Sequence, residues 1–284
     1  MTAYTMDSKN PADFQAEVNQ LSEKEMEILR SSAASDTDNE EEAPPPAYSD
    51  STAATIPRDG TQDFTPGRSL FINSRGIGLI RFPLPSSELE IGVHHPDGTL
   101  AYVSTREKRC SGDSILSSPK LGNLLSTSYF FGPGRNPIIR QLYPTAFNAN
   151  GDNSNNDISV AGKFISRNAW FEMPDGAKFE WRYIRLGYDG GGRSKLLILE
   201  KVEGEGEGSR KRVAQLLRTK ETIPEGSSKH RAGCGGELTL DQDAHLELDE
   251  AVIVGTCLLV LKREVDRRRA IQMMVMGGAA AGGS

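Results

Sequence analysis

Short apolar runs separated by turn signals dominate the chain from residue 69 to residue 240. The clearest case is an alternating run at 89–93, a His-Pro-Asp-Gly turn at 95–98 and a second run at 99–105, which together predict a β-hairpin. Turn signals recur about every 8–12 residues, a spacing typical of all-β sandwiches and barrels rather than of βαβ units. We therefore predict a mainly β domain of about 12 strands, with flexible glycine-rich connectors at 204–209 and 227–236.

A different pattern follows the predicted strands. Residues 246–269 read LELDEAVIVGTCLLVLKREVDRRR, with acidic side chains first, eleven uncharged residues at 251–261, and then basic side chains. This charge order suits the dipole of an α-helix, and a helix that is apolar all round must be enclosed. A membrane span needs about 20 apolar residues, so enclosure by protein is favoured over a bilayer. We predict a central helix over about 246–269, with Val254, Leu258 and Leu261 buried inside a barrel.

The N-terminal region differs from the rest in charge and pattern. Residues 1–60 carry 13 acidic and 4 basic side chains, whereas the remaining residues carry 26 acidic and 29 basic ones. Apart from one short amphipathic helix predicted at 11–30, this region has no apolar periodicity. We predict a disordered acidic tail at 1–66, a barrel domain at 67–270 and a flexible Gly/Ala tail at 271–284.

The order of the predicted elements, a dozen strands and then one apolar helix, resembles the tubby C-terminal-like fold. Two stretches, YFFGPGRNP at 129–137 and LDEAVI at 248–253, are similar to the best-marked segments of a fungal family of tubby-like proteins. LURP-one-related proteins and phospholipid scramblases share that fold. The resemblance spans about 69–269 and implies a closed antiparallel β-barrel around a hydrophobic C-terminal helix. It implies a fold and no particular reaction.

The acidic tail contains a candidate partner motif. Pro45, Pro46, Ala47 and Tyr48 match PPxY, the ligand of WW domains. The prolines form a polyproline II ridge at little entropic cost, an aromatic-lined groove grips that ridge, and Tyr48 fills the adjoining pocket. The alternative is a proline-rich spacer. By resemblance, cytosolic PPxY tails in fungi recruit HECT-type ubiquitin ligases, so we expect a WW-domain ligase as the partner.

Two further residues of the tail are candidate phosphorylation sites. Ser35 and Thr37 each have an acidic residue three positions later, Asp38 and Glu40, which is the pattern of acidophilic kinase substrates. The alternative is a solvated run of charges with no modification.

The cysteine and histidine content restricts the chemistry. Cys110, Cys234 and Cys257 lie far apart without a CxxC pair, which argues for a reducing compartment. The N-terminus has no secretory signal, so we expect a cytoplasmic protein, either free or peripheral at membranes. His94 and His95 point to opposite faces of a strand and no third ligand follows at a suitable spacing, so we expect no metal and no cofactor.

Basic clusters occur at 106–109, 209–212 and 262–269, and the first two, at likely strand ends, offer candidate contacts for anionic phospholipid headgroups. Interspersed acidic residues dilute them, so solvated surface charge is the alternative. The chain lacks the strong basicity and interleaved aromatic residues of a nucleic-acid-binding protein, and we expect no such partner.

One motif is compatible with an enzyme. Gly112, Asp113 and Ser114 resemble the nucleophile block of GDSL-type esterases, with Asp241 and His245 as conceivable partners. The Asp–His spacing departs from that family by one residue, and a β-turn at 112–113 is favoured. We therefore expect no catalytic residues: the leading hypothesis is a non-enzymatic interaction protein, followed by a peripheral phospholipid-binding or lipid-transferring module, and then by a GDSL-like esterase.

Overall fold

A computed structural model describes most of the chain after the acidic tail. The described residues are 64–78, 88–108, 111–130, 135–142, 157–162, 167–187, 193–204, 210–227 and 231–281. All of them belong to one compact unit that spans 60–284.

Alternation of buried and exposed side chains gives most of the strands one inner and one outer face. In the first strand Leu70, Ile72 and Ser74 are buried, whereas Asn73 between them is exposed. The described residues form twelve strands: β1 Pro66–Ile77, β2 Glu90–His94, β3 Leu100–Thr105, β4 Ser114–Ser118, β5 Gly122–Ser128, β6 Ile138–Gln141, β7 Asp157–Ala161, β8 Ala169–Glu172, β9 Lys178–Gly187, β10 Arg193–Val202, β11 Arg210–Leu217 and β12 Ala232–Asp241.

The twelve strands form a closed antiparallel barrel. Each strand pairs with its neighbours in sequence, and β1 pairs with β12 to complete the closure. At the end called upper here, Pro66 pairs with Asp241, and at the lower end Ile77 pairs with Ala232. Closure leaves no unpaired sheet edge. The predicted fold class, a mainly β barrel of about 12 strands with a C-terminal helix, is confirmed.

Two helices follow β12 at the upper end: α1, Ala244–Glu247, and α2, Glu250–Ala281. Every residue of α2 from 251 to 262 is buried, so this part of the helix has no solvent-facing side. Val254, Leu258 and Leu261 are 0%, 6% and 2% exposed. They belong to one hydrophobic core that includes side chains from all twelve strands. The helix therefore fills the barrel from its upper end to its lower end.

A hydrogen bond sets the position of α2 along the barrel. The indole Nε1 of Trp181, on β9, donates to the Thr256 hydroxyl at 3.0 Å, and both residues are fully buried. Thr256 also lies 2.8 Å from the carbonyl oxygen of Val252, one turn earlier, and donates back to the helix. The polar atoms of both side chains are thus satisfied within the core, as burial of such groups requires. On the opposite side Gly255 lets Leu125 approach, since a Cβ there would lie 2.6 Å from its Cδ1.

The structure corrects one of the predicted connectors. The prediction of a flexible segment at 227–236 is wrong for 232–236, which form the first half of β12. Glycine is required there by packing: a Cβ on Gly235 would overlap the carbonyl oxygen of Ile72, and one on Gly236 that of Leu217. A glycine-rich composition therefore reflects close contact between backbones in this segment, not freedom of the chain.

The bounds of the central helix also differ from the prediction. The expected helix at about 246–269 divides into α1 and α2, because residue 248 is extended between them. At the other end α2 continues to Ala281, whereas the sequence analysis assigned 271–284 to a flexible tail. The continuation contains methionine and alanine, which are good helix formers, and its only breakers are two glycines.

Replacement of Leu258 by aspartate is expected to abolish cooperative folding of the barrel. An unpaired carboxylate in the core costs several kcal/mol, a large part of the typical stability of a domain, about 5–15 kcal/mol. The same change at Leu246, which is 65% exposed on α1, is the matched control and is expected to leave the urea unfolding midpoint nearly unchanged. A folded Leu258→Asp protein with a normal midpoint would contradict the enclosed position of the helix.

Candidate functional site

The lower end of the barrel contains charged side chains of α2 that are buried. The exposed fractions of Lys262, Glu264 and Asp266 are 6%, 9% and 6%. The expectation from the sequence is solvated surface charge at 262–269. For these three residues that interpretation is wrong, because the lower part of the barrel still encloses the helix after its apolar segment ends. Buried charges require partners, and the cluster supplies them.

Lys262 and Asp266 form an ion pair one helical turn apart. The Lys262 Nζ lies 2.6 Å and 2.7 Å from the two carboxylate oxygens of Asp266, and 5.1 Å from the centre of the Tyr129 ring. The Tyr129 hydroxyl donates to the same carboxylate. Burial lowers the pKa of the Lys262 ammonium, and the neighbouring carboxylate opposes that shift. Burial likewise raises the pKa of the Tyr129 hydroxyl, which stays protonated.

Glu264 occupies a second polar position on the other side of the helix. Its Oε2 accepts a hydrogen bond from the backbone N–H of Gly233 at 2.8 Å, and the Arg218 guanidinium lies 3.3 Å from Oε1. Burial raises the pKa of Glu264 to about 7, and the Gly233 N–H opposes the rise. Arg218 also lies 5.9 Å from the Tyr183 ring centre. These contacts tie β9, β11 and β12 to the helix end.

A small pocket lies between α2 and the strands β3, β4 and β5, with room for about one water molecule. Its polar lining consists of the hydroxyls of Ser104, Ser114 and Thr127 together with Arg106 and Lys262. Ser114 and Thr127 are directly opposite each other in the β4–β5 register, which places both hydroxyls on the inner face. Apolar contacts and two glycines complete the wall: Leu116, Leu258, Leu259, Gly112 and Gly255.

At the upper end, basic side chains of the strands are paired with carboxylates. Glu247 accepts hydrogen bonds from Lys201 at 2.6 Å and from Lys211 at 2.8 Å. Arg210 donates to Glu180 at 2.7 Å. The basic cluster predicted at 209–212 is therefore largely neutralised by contacts within the barrel.

The start of α2 is held by another carboxylate. Glu250 accepts hydrogen bonds from the Tyr102 hydroxyl at 2.7 Å and from Arg68 at 3.0 Å. An acidic residue in the first turn also interacts favourably with the helix dipole. Burial, together with the charge of Glu250, raises the pKa of the Tyr102 hydroxyl, so it remains a donor at neutral pH.

The structure does not assemble the esterase candidates into a triad. Ser114 begins β4 and lines the pocket beside Lys262, whereas His245 lies on α1, before α2 begins at the upper end. Twelve residues of helix between positions 250 and 262 correspond to about 18 Å along the axis. Asp241 uses its carboxylate for backbone N–H groups, those of Thr65 at 2.8 Å and Asp243 at 3.1 Å.

The histidines considered as metal ligands lie beside the upper end. His95 is 3.3 Å from the Arg68 guanidinium, a neighbour that disfavours a bound cation. Among the residues that the structure describes, no three His, Cys, Asp or Glu side chains are placed to hold a metal ion.

The candidate partner-binding and modification residues of the tail lie outside the described residues. These are Pro45, Pro46 and Tyr48 of the PPxY motif, and Ser35 and Thr37. The amphipathic helix predicted at 11–30 and Cys110 also fall there.

Comparison of the chain with protein-family models, with curated proteins and with solved structures finds no match. The tubby-like resemblance stays a prediction from two sequence stretches and an element order. No helix in the described part of the chain is both long enough and apolar enough to cross a bilayer.

Sequence reasoning missed the buried ion pair, although a signal for it was present. Lys262 and Asp266 are four residues apart, the spacing that brings two side chains of a helix together. The hydroxyls of Ser104 and Thr127 gave no such signal, because their convergence depends on strand register across β3, β4 and β5.

Replacement of Asp266 by asparagine is expected to destabilise the protein by about 3–5 kcal/mol, because Lys262 then keeps a buried charge without a carboxylate. The control is Asp157→Asn, which breaks the exposed Arg140–Asp157 pair and is expected to cost less than about 1 kcal/mol. Urea unfolding measures both. The double change Lys262→Met and Asp266→Leu should recover most of the lost stability. Equal losses of stability in Asp266→Asn and Asp157→Asn would contradict a buried ion pair.

Proposed function

We propose that this protein is a non-enzymatic, cytoplasmic interaction protein whose acidic tail recruits a WW-domain protein, in particular a HECT-type ubiquitin ligase. The observation that carries the proposal is the PPAY sequence at 45–48, within a tail that has 13 acidic and 4 basic side chains over residues 1–60. Pro45 and Pro46 supply the preformed polyproline ridge, and Tyr48 supplies the aromatic anchor.

The interior of the barrel supports a role in interaction over a role as a container. Residues 251–262 of α2 are buried and pack with side chains from all twelve strands into one core. An enzyme or carrier typically offers a mostly apolar cavity of about 300–1,000 Å³ to its ligand. The pocket at the lower end has room for about one water molecule, far less than a lipid chain needs.

Two roles are compatible with recruitment of a ligase. The protein is an adaptor if the barrel presents another protein to the ligase, and a substrate if its own lysines are modified. Phosphorylation of Tyr48 would introduce a dianion into an aromatic pocket, and we expect it to block docking in either role.

Replacement of Tyr48 by alanine is expected to weaken binding to purified WW domains by at least about tenfold, since the aromatic anchor is lost. Tyr4→Ala, in the same tail but outside the motif, is the matched control and should bind like wild type. Fluorescence anisotropy or a pull-down with the full chain measures the difference. Equal binding of Tyr48→Ala and wild type would contradict the proposal.

The same variant separates the two roles in a reconstituted ubiquitination reaction. If the protein is a substrate, ubiquitin is attached to wild type and not to Tyr48→Ala. If it is an adaptor, the label appears on a co-purified protein and depends on the same tyrosine.

A second candidate function is peripheral binding to anionic phospholipid, and one observation favours it. The Arg106 and Arg269 side chains at the lower end contain buried nitrogen atoms without a hydrogen-bond partner in the described part of the chain. Guanidinium groups in that situation suit a phosphate oxygen. Salt-sensitive flotation with anionic vesicles distinguishes this alternative from a protein that only recruits a WW domain.

A further inference from the structure

The pocket at the lower end is lined by three hydroxyl groups. Ser104 and Thr127 are only 3% and 9% exposed, and both line the pocket together with Ser114. Buried polar groups in native proteins nearly always have a hydrogen-bond partner, and these hydroxyls face a space that a ligand atom can fill. The three hydroxyls belong to β3, β4 and β5, so the barrel itself brings them together.

Positive charge predominates around these hydroxyls. Arg106 and Lys262 line the pocket, and Arg269 lies 3.8 Å from Asp266, the carboxylate that all three share as a neighbour. The Nε of Arg106, and Nε and Nη2 of Arg269, have no hydrogen-bond partner in the described part of the chain. Asp266 therefore has three cations as neighbours.

The other charged groups near the pocket are already engaged. Glu88, the second acidic neighbour of Arg106, accepts hydrogen bonds from the Ser74 hydroxyl and the Arg75 backbone N–H. Arg263 donates to the carbonyl oxygens of Ala161 and Gly162. The Glu88 carboxylate keeps its charge and stabilises the charged form of Arg106, so three cations face two carboxylates, Asp266 and Glu88.

An oxyanion suits both the hydroxyl lining of the pocket and the cations around it. Its oxygen atoms accept hydrogen bonds from hydroxyl, ammonium and guanidinium donors, and its charge balances the excess cations. Burial lowers the pKa of Arg106 and of Lys262, and the nearby carboxylates oppose that shift. A water molecule would satisfy the hydroxyls and leave the charge unbalanced, and a metal cation would be repelled.

We propose that this pocket is a binding site for a phosphate group, with one oxygen inserted between Ser104, Ser114 and Thr127. Room for about one water molecule is room for one such oxygen, so the phosphorus atom and its substituent stay at the mouth beside Arg106. The proposed ligand is a phosphate monoester or free phosphate, whose terminal oxygens can enter the pocket one at a time. The site is independent of WW-domain recruitment, since it uses only residues of the barrel.

Phosphate titration of the full chain tests the site, with chloride at equal ionic strength as the blank and 31P line broadening as the measurement. Thr127→Val keeps the shape of the side chain and removes the hydroxyl, and we expect it to weaken binding by about tenfold. Ser126→Ala, on the opposite face of the same strand, is the matched control and should bind like wild type. Urea unfolding of each variant verifies that it is folded.

A second variant protects the test against loss of structure. Arg106→Gln removes one charge at the mouth and is expected to weaken binding and to reduce its dependence on salt. If wild type does not bind phosphate, or if Thr127→Val and Arg106→Gln bind as well as Ser126→Ala does, the site is a water site and the proposal is wrong.

Vesicles distinguish the source of the phosphate group. Flotation compares phosphatidylcholine vesicles containing phosphatidic acid, a phosphate monoester, with vesicles containing the same charge as phosphatidylserine. Preference for phosphatidic acid that Thr127→Val abolishes identifies a lipid headgroup as the ligand. Binding of free phosphate without flotation identifies a soluble phosphate monoester.

Discussion

The enclosure of a helix that has no polar face is the constraint on which the rest of the structure depends. Residues 251–261 contain no charged side chain, and a helix of this kind is stable in water only when it is surrounded by other apolar groups. A closed barrel of twelve strands supplies that surrounding from every direction. Each buried valine or leucine contributes about 1.5–3 kcal/mol by removal from water, so the helix is a main source of stability for the strands as well.

The same enclosure determines where polar chemistry can occur. Inside the barrel the Trp181–Thr256 hydrogen bond satisfies a polar pair in the middle of the core, and the charged residues Glu250 and Lys262 flank the uncharged segment of the helix at 251–261. At the upper end Glu250 has Tyr102 and Arg68 as partners, and at the lower end Lys262 has Asp266. The acidic residue in the first turn of the helix also follows the direction of the helix dipole.

The sequence predicted the elements that depend on local pattern and missed those that depend on register. Hairpin signals and the apolar segment at 251–261 led to the barrel and to Val254, Leu258 and Leu261 as buried residues. The first half of β12 was missed because its glycines suggested a loop, whereas packing against Ile72 and Leu217 requires them. Composition alone does not distinguish a flexible glycine from one that permits a close approach.

In the candidate site, too, local sequence pattern was predictable and the effect of strand register was not. Basic residues after the apolar segment were visible in the sequence, and their charge alone suggested a solvated surface. Whether a cation is paired, buried or free depends on which strand residues surround it, and the sequence does not provide that information before the fold is known. Lys262 is paired because Asp266 follows four residues later, whereas nitrogen atoms of Arg106 and Arg269 lack partners in the described part of the chain.

Residues 251–262 of α2 and side chains from all twelve strands pack into one core within the barrel. Recognition in both proposals lies outside this core, in the tail and at the lower end of the barrel. A PPxY tail needs no pocket in its own protein, because the WW domain provides the groove. A pocket with room for one oxygen atom likewise needs only the end of the barrel, where strands, helix and charge meet.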